Sequence, residues 1–302
     1  MYRGMTREFV AERFARAATV KQNPVREVRT DGDYYYKLDR RGARSLMREF
    51  RAARLLEECH VPVVAHLWCG EIPDGAVLVT RALADAPTVR EYAGRNIPDA
   101  EFRRRFAEFV RDFLATGLDH VDMHIGNILY STREKRFVLV DVQGVRNSRR
   151  AKLPYDIVRA PLELRCELRR AECCEMLAIV GVPDPERFFD RALRIEAAAL
   201  NRAWPKRRRQ ILAGYPKFTR LEGAKIVAAA ATPAELENLV WRPGSEADLC
   251  SAFYWELAEL PHERALVFDR EKLEVGIAPP LFPSRLPPEE FAARRRVLEN
   301  MR

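Results

Sequence analysis

The stretch that most constrains this 302-residue chain runs from Asp119 to Gly144, DHVDMHIGNILYSTREKRFVLVDVQG. It holds Asp122, then Asn127 five residues later, the apolar pair Ile128-Leu129, the turn-forming residues Ser131 to Glu134, and a bulky run, Phe137 to Val140, that delivers Asp141. Bulky and β-branched residues on both sides of turn chemistry predict a hairpin preceded by a loop. Asp122 and Asn127 then fall in the loop and Asp141 at a strand end. Carboxylate and amide oxygens suit a hard cation such as magnesium, where thiolates would not. A carboxylate held on a tight loop can orient or deprotonate a hydroxyl. Polar residues commonly end loops and strands, so each residue alone carries little. The spaced set in its strand context carries the reading.

Asp, Asn at plus five, then a hairpin ending in Asp resembles the arrangement of protein-kinase-like enzymes. Phosphoryl transfer asks a protein mainly for positioning and for neutralisation of phosphate charge, and these residue types supply both.

The rest of the chain is consistent with such a frame. Residues 5 to 18 have the spacing of an amphipathic helix, with Phe9, Val10, Phe14 and Ala17 on one side. Asp31-Gly32-Asp33 predicts a hairpin turn before a strand Tyr34-Tyr35-Tyr36, with Lys37 at its end. ARSLMREFRAARLLEE predicts a helix that carries Glu49, twelve residues after Lys37. VPVVAHLWCGEIPDGAVLVTRAL predicts a second hairpin around Pro73-Asp74-Gly75, and Val77 to Ala82 would lead into a linker where an adenine ring could meet backbone groups. From Asp99 the chain turns helical, with a core stripe of Phe102, Phe106, Phe109, Val110 and Phe113 and a stop at Gly117. The remainder is expected to be mostly helical: one helix over 162 to 180, another or a pair over 186 to 213 interrupted at Trp204-Pro205, and a proline-rich extended tail from about Gly276. Trp204 and Tyr215, near the basic run AWPKRRRQIL, are a candidate amphipathic or sugar-stacking surface.

Composition excludes some classes. With 47% hydrophobic residues the chain is globular rather than disordered. No run approaches the roughly 20 apolar residues of a membrane span, and the first residues lack an apolar signal core. The cysteines 59, 69, 166, 173, 174 and 250 form neither a zinc spacing nor a disulfide framework, which points to a reduced, cytoplasmic setting. The net charge of +8 favours an anionic partner: nucleotide phosphates, an anionic membrane surface or nucleic acid. Charge speaks to association and not to chemistry. Arg146, Arg149, Arg150 and Lys152 cluster after Asp141, where they would meet solvent or an anionic acceptor. His120 and His124 flank Asp122 without a third ligand nearby, so they are expected to brace the loop rather than bind metal.

Together KQNPVREV, DGDYYYKL, HVDMHIGNIL, LVDVQGV and RAWPKRRRQILAGYPKF resemble the lipopolysaccharide core kinases, the Kdo/heptose kinase family within the protein-kinase-like superfamily, from about Thr19 to Phe218. The resemblance implies an α+β fold of two lobes: a small antiparallel-sheet lobe with one helix over 1–83, and a larger helical lobe over 84–302. It implies transfer of phosphate from ATP, with Mg2+, to a heptose or Kdo hydroxyl of the lipopolysaccharide inner core. Asp122 would be the catalytic residue. Lys37 would hold phosphates, steadied by Glu49, and Asn127 and Asp141 would bind the metal. The enzyme would work in the cytoplasm, in peripheral contact with the anionic inner-membrane surface, with no nucleic acid partner. Two departures stand out. ATVKQNPVREV lacks a glycine-rich phosphate loop, leaving Lys21 or Arg26 as candidate cover, and the metal strand ends Asp-Val-Gln without a Phe. The alternatives are a kinase-like phosphotransferase for another small molecule or a protein, and a non-catalytic pseudokinase scaffold with a basic binding face.

Overall fold

A computed structural model describes residues 5–96, 98–147, 158, 160–164 and 168–212, together with the strand backbones at 226–228, 242–243, 265–269 and 274–278. The fold is α+β. The chain forms two compact units, Met1–Pro185 and Glu186–Arg302.

The first unit opens with α1 (Arg7–Arg16), capped by the Thr6 hydroxyl, which accepts from Phe9 N–H at 3.2 Å. A five-stranded antiparallel sheet follows, formed by β1 (Ala18–Gln22), β2 (Arg26–Thr30), β3 (Tyr34–Asp39), β4 (His66–Ile72) and β5 (Gly75–Arg81) in the order β1-β2-β3-β5-β4. Helix α2 (Arg44–Glu58) is inserted between β3 and β4.

The alternation of strand side chains decides what faces what. Tyr36 and Leu38 on β3, with Val77 and Val79 on β5, join Val10 and Phe14 of α1 in one buried cluster. The intervening Ala76 and Leu78 turn to the opposite face and pack with Leu46 of α2. Lys37, between Tyr36 and Leu38, is thereby delivered to the α2 side. It lies mid-strand on β3, the central strand of the sheet, rather than at a strand end or on an edge. In α1 the apolar side is narrower than the spacing suggested. Val10 and Phe14, one helical turn apart, are buried, and Phe9 is 37% exposed.

The later part of this unit contains α3 (Val89–Arg95), α4 (Ala100–Ala115), β6 (Leu118–His120), β7 (Ile128–Ser131), β8 (Arg136–Leu139), β9 (Val145–Asn147) and α5 (Arg170–Val180). Short 3-10 turns lie at Ile125–Asn127, Val142–Gly144 and Ala160–Leu164. An aromatic cluster seats the helices on the β7–β8 hairpin. Tyr92 of α3 stacks on Phe102 of α4 at 4.9 Å between ring centroids, Phe106 lies 5.0 Å from Phe137 of β8, and Phe137 lies 5.0 Å from Tyr130 of β7. Aromatic pairs at such separations add to simple area burial. The hairpin is tied toward the sheet by backbone bonds from Leu139 N–H to Pro62 at 2.9 Å and from Val64 N–H to Leu139 at 3.0 Å. The helix expected over 162 to 180 is shorter, starting at Arg170 behind the 3-10 turn.

The second unit holds α6 (Pro185–Leu212), which continues through Trp204-Pro205 instead of breaking there. A proline inside a helix removes one hydrogen bond and kinks the axis, and it does not have to end the helix. The remainder, expected to be mostly helical, also contains strands. Strands β10 (Ile226–Ala228), β11 (Arg242–Pro243), β12 (Ala265–Asp269) and β13 (Glu274–Ala278) form a second antiparallel sheet in the order β10-β12-β13-β11. The start of the supposed extended tail, Gly276 to Ala278, is the end of β13. The rest of that tail, Arg149, Arg150, Lys152, Tyr215 and the side chain of Trp204 lie outside the described residues.

Candidate active site

The site grows from β3 and α2. Along α2 the buried positions are Leu46, Glu49, Ala52, Ala53 and Leu56. This is an apolar stripe at helical spacing with one carboxylate set into it. Glu49 is 3% exposed, whereas Glu57 and Glu58 are exposed. An unpaired buried carboxylate is costly, and Glu49 has its partner: Lys37 Nζ lies 2.6 Å from Glu49 Oε1. The same ammonium lies 3.3 Å from Asp141 Oδ1.

Burial, the largest single influence on Glu49, favours its neutral form. The neighbouring His66 and Lys37 outweigh burial and hold the carboxyl below the ordinary glutamate range. Burial likewise works against the Lys37 ammonium, and the charges of Glu49 and Asp141 raise its pKa in spite of it.

His66 is a residue that the sequence reading did not single out. Its imidazole is fully buried on β4, with Nδ1 2.8 Å from the Val64 carbonyl and Nε2 3.6 Å from Glu49 Oε1. A carbonyl only accepts, so Nδ1 carries a proton. Among the described residues Nε2 has no hydrogen-bond partner, and it faces the carboxylate. The available signal was a histidine starting a strand, ahead of the apolar Leu67, Trp68 and Cys69.

Asp141 lies beyond the end of β8 in left-handed backbone, φ 55° and ψ 49°. Asp is among the few residues that adopt this conformation without a large steric cost. Asn127 is drawn beside it through Val140 N–H, which donates to the Asn127 carbonyl at 3.0 Å. The Asn127 side-chain amide donates to the Asp122 carbonyl at 3.1 Å. That bond fixes which way the amide points and leaves its oxygen available.

The Asp122 backbone is pinned from the other side as well, its N–H donating to His120 Nδ1 at 3.2 Å. His124 Nδ1 accepts from Gly126 N–H at 3.0 Å, so both histidines are occupied in shaping the loop. Burial depresses the pKa of His120 against the pull of Asp122 and Asp141. Its neutral form is the one that can accept from Asp122 N–H. A further brace is Glu163, whose carboxylate accepts from Ile125 N–H at 2.9 Å. The Asp122 carboxylate itself is 64% exposed, on a backbone that cannot easily move.

The five singled-out residues are therefore joined through two short relays. Lys37 contacts both Glu49 and Asp141. Asn127 contacts Asp122 directly and reaches Asp141 through the backbone of Val140. The oxygen set of Asn127 and Asp141 fits a hard cation, with phosphate and water oxygens completing its shell. Among the described residues no group of three His, Cys, Asp or Glu side chains is placed to hold a metal ion.

At the β1–β2 turn, Asn23 Oδ1 accepts from Val25 N–H at 3.0 Å and Arg26 N–H at 2.7 Å. Those amides are thus taken by the turn itself. Arg26 is also engaged, donating to Asp39 at 3.2 Å and to Ser45 at 3.0 Å. Ser45 in turn donates to Gln143 at 3.3 Å, so the second residue after Asp141 contacts the first turn of α2.

Comparison with known proteins bears on the same region. Residues 16–153 match the model of the lipopolysaccharide kinase (Kdo/WaaP) family. No curated protein matches the chain. Solved structures of WbdD are similar at low identity. A complex with the kinase inhibitor LY294002 shares 17% identity at a TM-score of 0.39, covering 57% of this chain and 44% of WbdD. A second WbdD crystal structure shares 16% identity at a TM-score of 0.40, covering 57% and 45%. The chain spans less than half the length of these relatives.

Proposed function

We propose, from the match of residues 16–153 to the lipopolysaccharide kinase (Kdo/WaaP) family model, that the chain transfers the γ-phosphate of ATP to a heptose or Kdo hydroxyl of the lipopolysaccharide inner core. The observation that carries the proposal is the Lys37 ammonium, bonded at 2.6 Å to Glu49 and at 3.3 Å to Asp141. An ammonium held between a buried and an exposed carboxylate is positioned to take phosphate oxygens when a nucleotide enters.

In this reading Lys37 holds the α- and β-phosphates and Glu49 keeps the ammonium in place. Asn127 and Asp141 hold Mg2+, which neutralises phosphate charge when bound. The Asp122 carboxylate orients the acceptor hydroxyl and receives its proton as the new oxygen–phosphorus bond forms and the bond from the γ-phosphorus to the bridging oxygen breaks, with ADP as the leaving group. The division between a small lobe, 1–83, and a larger one, 84–302, belongs to the same proposal. Within the expected adenine linker, Arg81 N–H already donates to Ala65 and Ala82 N–H to Asp33. An adenine ring would use backbone beyond Ala82. A cytoplasmic enzyme peripheral to an anionic membrane would fit the charge of +8. No helix among the described residues is long and apolar enough to cross a membrane.

One observation favours the scaffold reading: the Asn23 turn offers neither glycines nor its Val25 and Arg26 amides to phosphates. A thermal-shift experiment with ATP and Mg2+ separates the two. The kinase reading expects stabilisation at millimolar nucleotide, because a ligand well above its Kd raises apparent stability, and label transfer from ATP to core oligosaccharide. Absence of both supports the scaffold. Transfer to small alcohols or protein but not to oligosaccharide supports another acceptor.

A further inference from the structure

We propose that the groove beside the outer face of α2 is an anion subsite that holds phosphate or carboxylate groups of the sugar acceptor, away from the hydroxyl being phosphorylated. The inference rests on the kinase reading above for the identity of its occupant. Its physical basis is separate.

The groove has a volume of about 350 Å³ and is lined by Arg44, Arg48, Arg51, Ala52, Leu55 and Val145. The three arginines recur at i, i+4 and i+7 and share one exposed face of α2. Neighbouring arginines are matched: Arg26 and Arg41 with Asp39, Arg29 and Arg40 with Glu27, Arg54 with Glu57. Arg44, Arg48 and Arg51 have no carboxylate within ion-pairing distance among the described residues. Like charges one turn apart disfavour a helix, so this stripe does not serve the stability of α2.

Guanidinium forks match carboxylate and phosphate oxygens in pairs. At a rise of about 1.5 Å per residue the stripe extends roughly 10 Å along the helix. That length suits a saccharide bearing several anionic groups better than one small ion. The nucleotide does not compete for it, because Glu49 lies on the buried side of the same helix, with Lys37 of β3 against it.

The position also fits an acceptor. Val145, which lines the groove, pairs with His120 across the β6–β9 ladder. His120 in turn binds the backbone of Asp122. The groove thus borders the loop that would orient the acceptor hydroxyl.

The test uses the full chain and the double variant Arg48→Ala/Arg51→Ala, with a deacylated core oligosaccharide carrying phosphates and carboxylates as the probe. We expect KM for this acceptor to rise by about tenfold or more, with KM for ATP and the ATP-induced shift in Tm unchanged. A dephosphorylated, carboxyl-reduced form of the same oligosaccharide should give equal KM values for both proteins. An unchanged KM for the charged acceptor overturns the proposal, and so does an equal loss with the uncharged one. Weaker binding to anionic phospholipid vesicles with an unchanged oligosaccharide KM would reassign the groove to a membrane surface and also overturn it. If the unsubstituted protein shows no response to ATP, the kinase reading fails. Calorimetric titration of the charged oligosaccharide then decides the groove, which requires weaker binding by the double variant and is refuted by equal binding.

Discussion

The ammonium of Lys37 lies 2.6 Å from the carboxylate of Glu49, and the two side chains come from β3 and from α2, a helix that packs its Leu46 on Ala76 and Leu78 of the neighbouring strand β5. The pair is lopsided. Glu49 is 4% exposed and Lys37 26% exposed as side chains. Removing the lysine leaves a buried carboxylate whose remaining ion-pair neighbour among the described residues is His66. Lys37→Met should therefore destabilise the protein by about 3 kcal/mol, the lower end for a broken buried pair because Lys37 keeps some access to water. Glu49→Gln should cost less, since the amide oxygen can still accept from Lys37. Urea denaturation measures the difference, and equal losses would show that the carboxylate is not what Lys37 stabilises. Both variants should lose the ATP-induced Tm shift.

The same pair fixes a pH dependence. Glu49 titrates below its ordinary value of 4.5 in the folded chain. Its contribution to stability is present above the unfolded value and is lost as pH falls through the lower folded value. Lys37 titrates above 10.5, so its contribution is present below that value and is lost only as pH rises past it. Stability from this pair is level between these limits. The urea midpoint of the unsubstituted protein should fall more steeply below pH 4.5 than that of Glu49→Gln. In His66→Leu, where one of the influences lowering Glu49 is gone, the folded value lies closer to 4.5, so the fall should be smaller and end at higher pH. Superimposable acid limbs for all three proteins would contradict this account.

How much of this was legible in the sequence follows from the range of each interaction. The β7–β8 hairpin and the loop before it were readable because their signals are local: turn residues between bulky runs, and a fixed spacing from Asp122 to Asn127. Lys37 and Glu49 could be selected by spacing, whereas the burial of Glu49 among Leu46, Ala53 and Leu56 emerges only from the structure. Helix α3 was missed although Thr88 and Glu91 form a capping box, with Glu91 N–H donating to Thr88 Oγ1 at 3.1 Å and Thr88 N–H to Glu91 at 2.8 Å. Its short length and the preceding Pro87 made it resemble a loop. Strands β12 and β13 were missed for a different reason. The link between them, Arg-Glu-Lys-Leu, is made of helix formers and lacks turn residues. His66 could not be found from spacing, because its contact with Glu49 depends on the pairing of β4 with β5.

Cys69 offers a chemical probe of the same interior. It lies on β4, and burial first, then the negative charge of Glu49, push its thiol up to about 11. At pH 8 its thiolate fraction should be about 100-fold below that of an ordinary thiol. Peptide-level mass spectrometry after iodoacetamide treatment should find Cys69 labelled far more slowly than a free thiol standard. Labelling at the standard's rate would mean that the thiol is not buried against the carboxylate.

Asp122 gives the most direct test of the chemistry. Its backbone is fixed on two sides, by His120 through the N–H at 3.2 Å and by the Asn127 side chain through the carbonyl at 3.1 Å, while its carboxylate stays exposed. Truncation at Cβ disturbs neither bond, so Asp122→Ala should fold normally and keep its ATP-induced Tm shift. Turnover should fall by at least about 100-fold, the lower end for a positioned acid-base group. Asn127→Ala differs in kind, because it removes both a candidate cation ligand and the tie to the Asp122 carbonyl. Its Mg2+ requirement should shift to higher concentration together with a loss in turnover. A 100-fold loss in Asp122→Ala with the Mg2+ requirement unchanged, beside a changed requirement in Asn127→Ala, would separate the group that meets the hydroxyl from the group that meets the metal. Unchanged turnover in Asp122→Ala would remove that carboxylate from the mechanism.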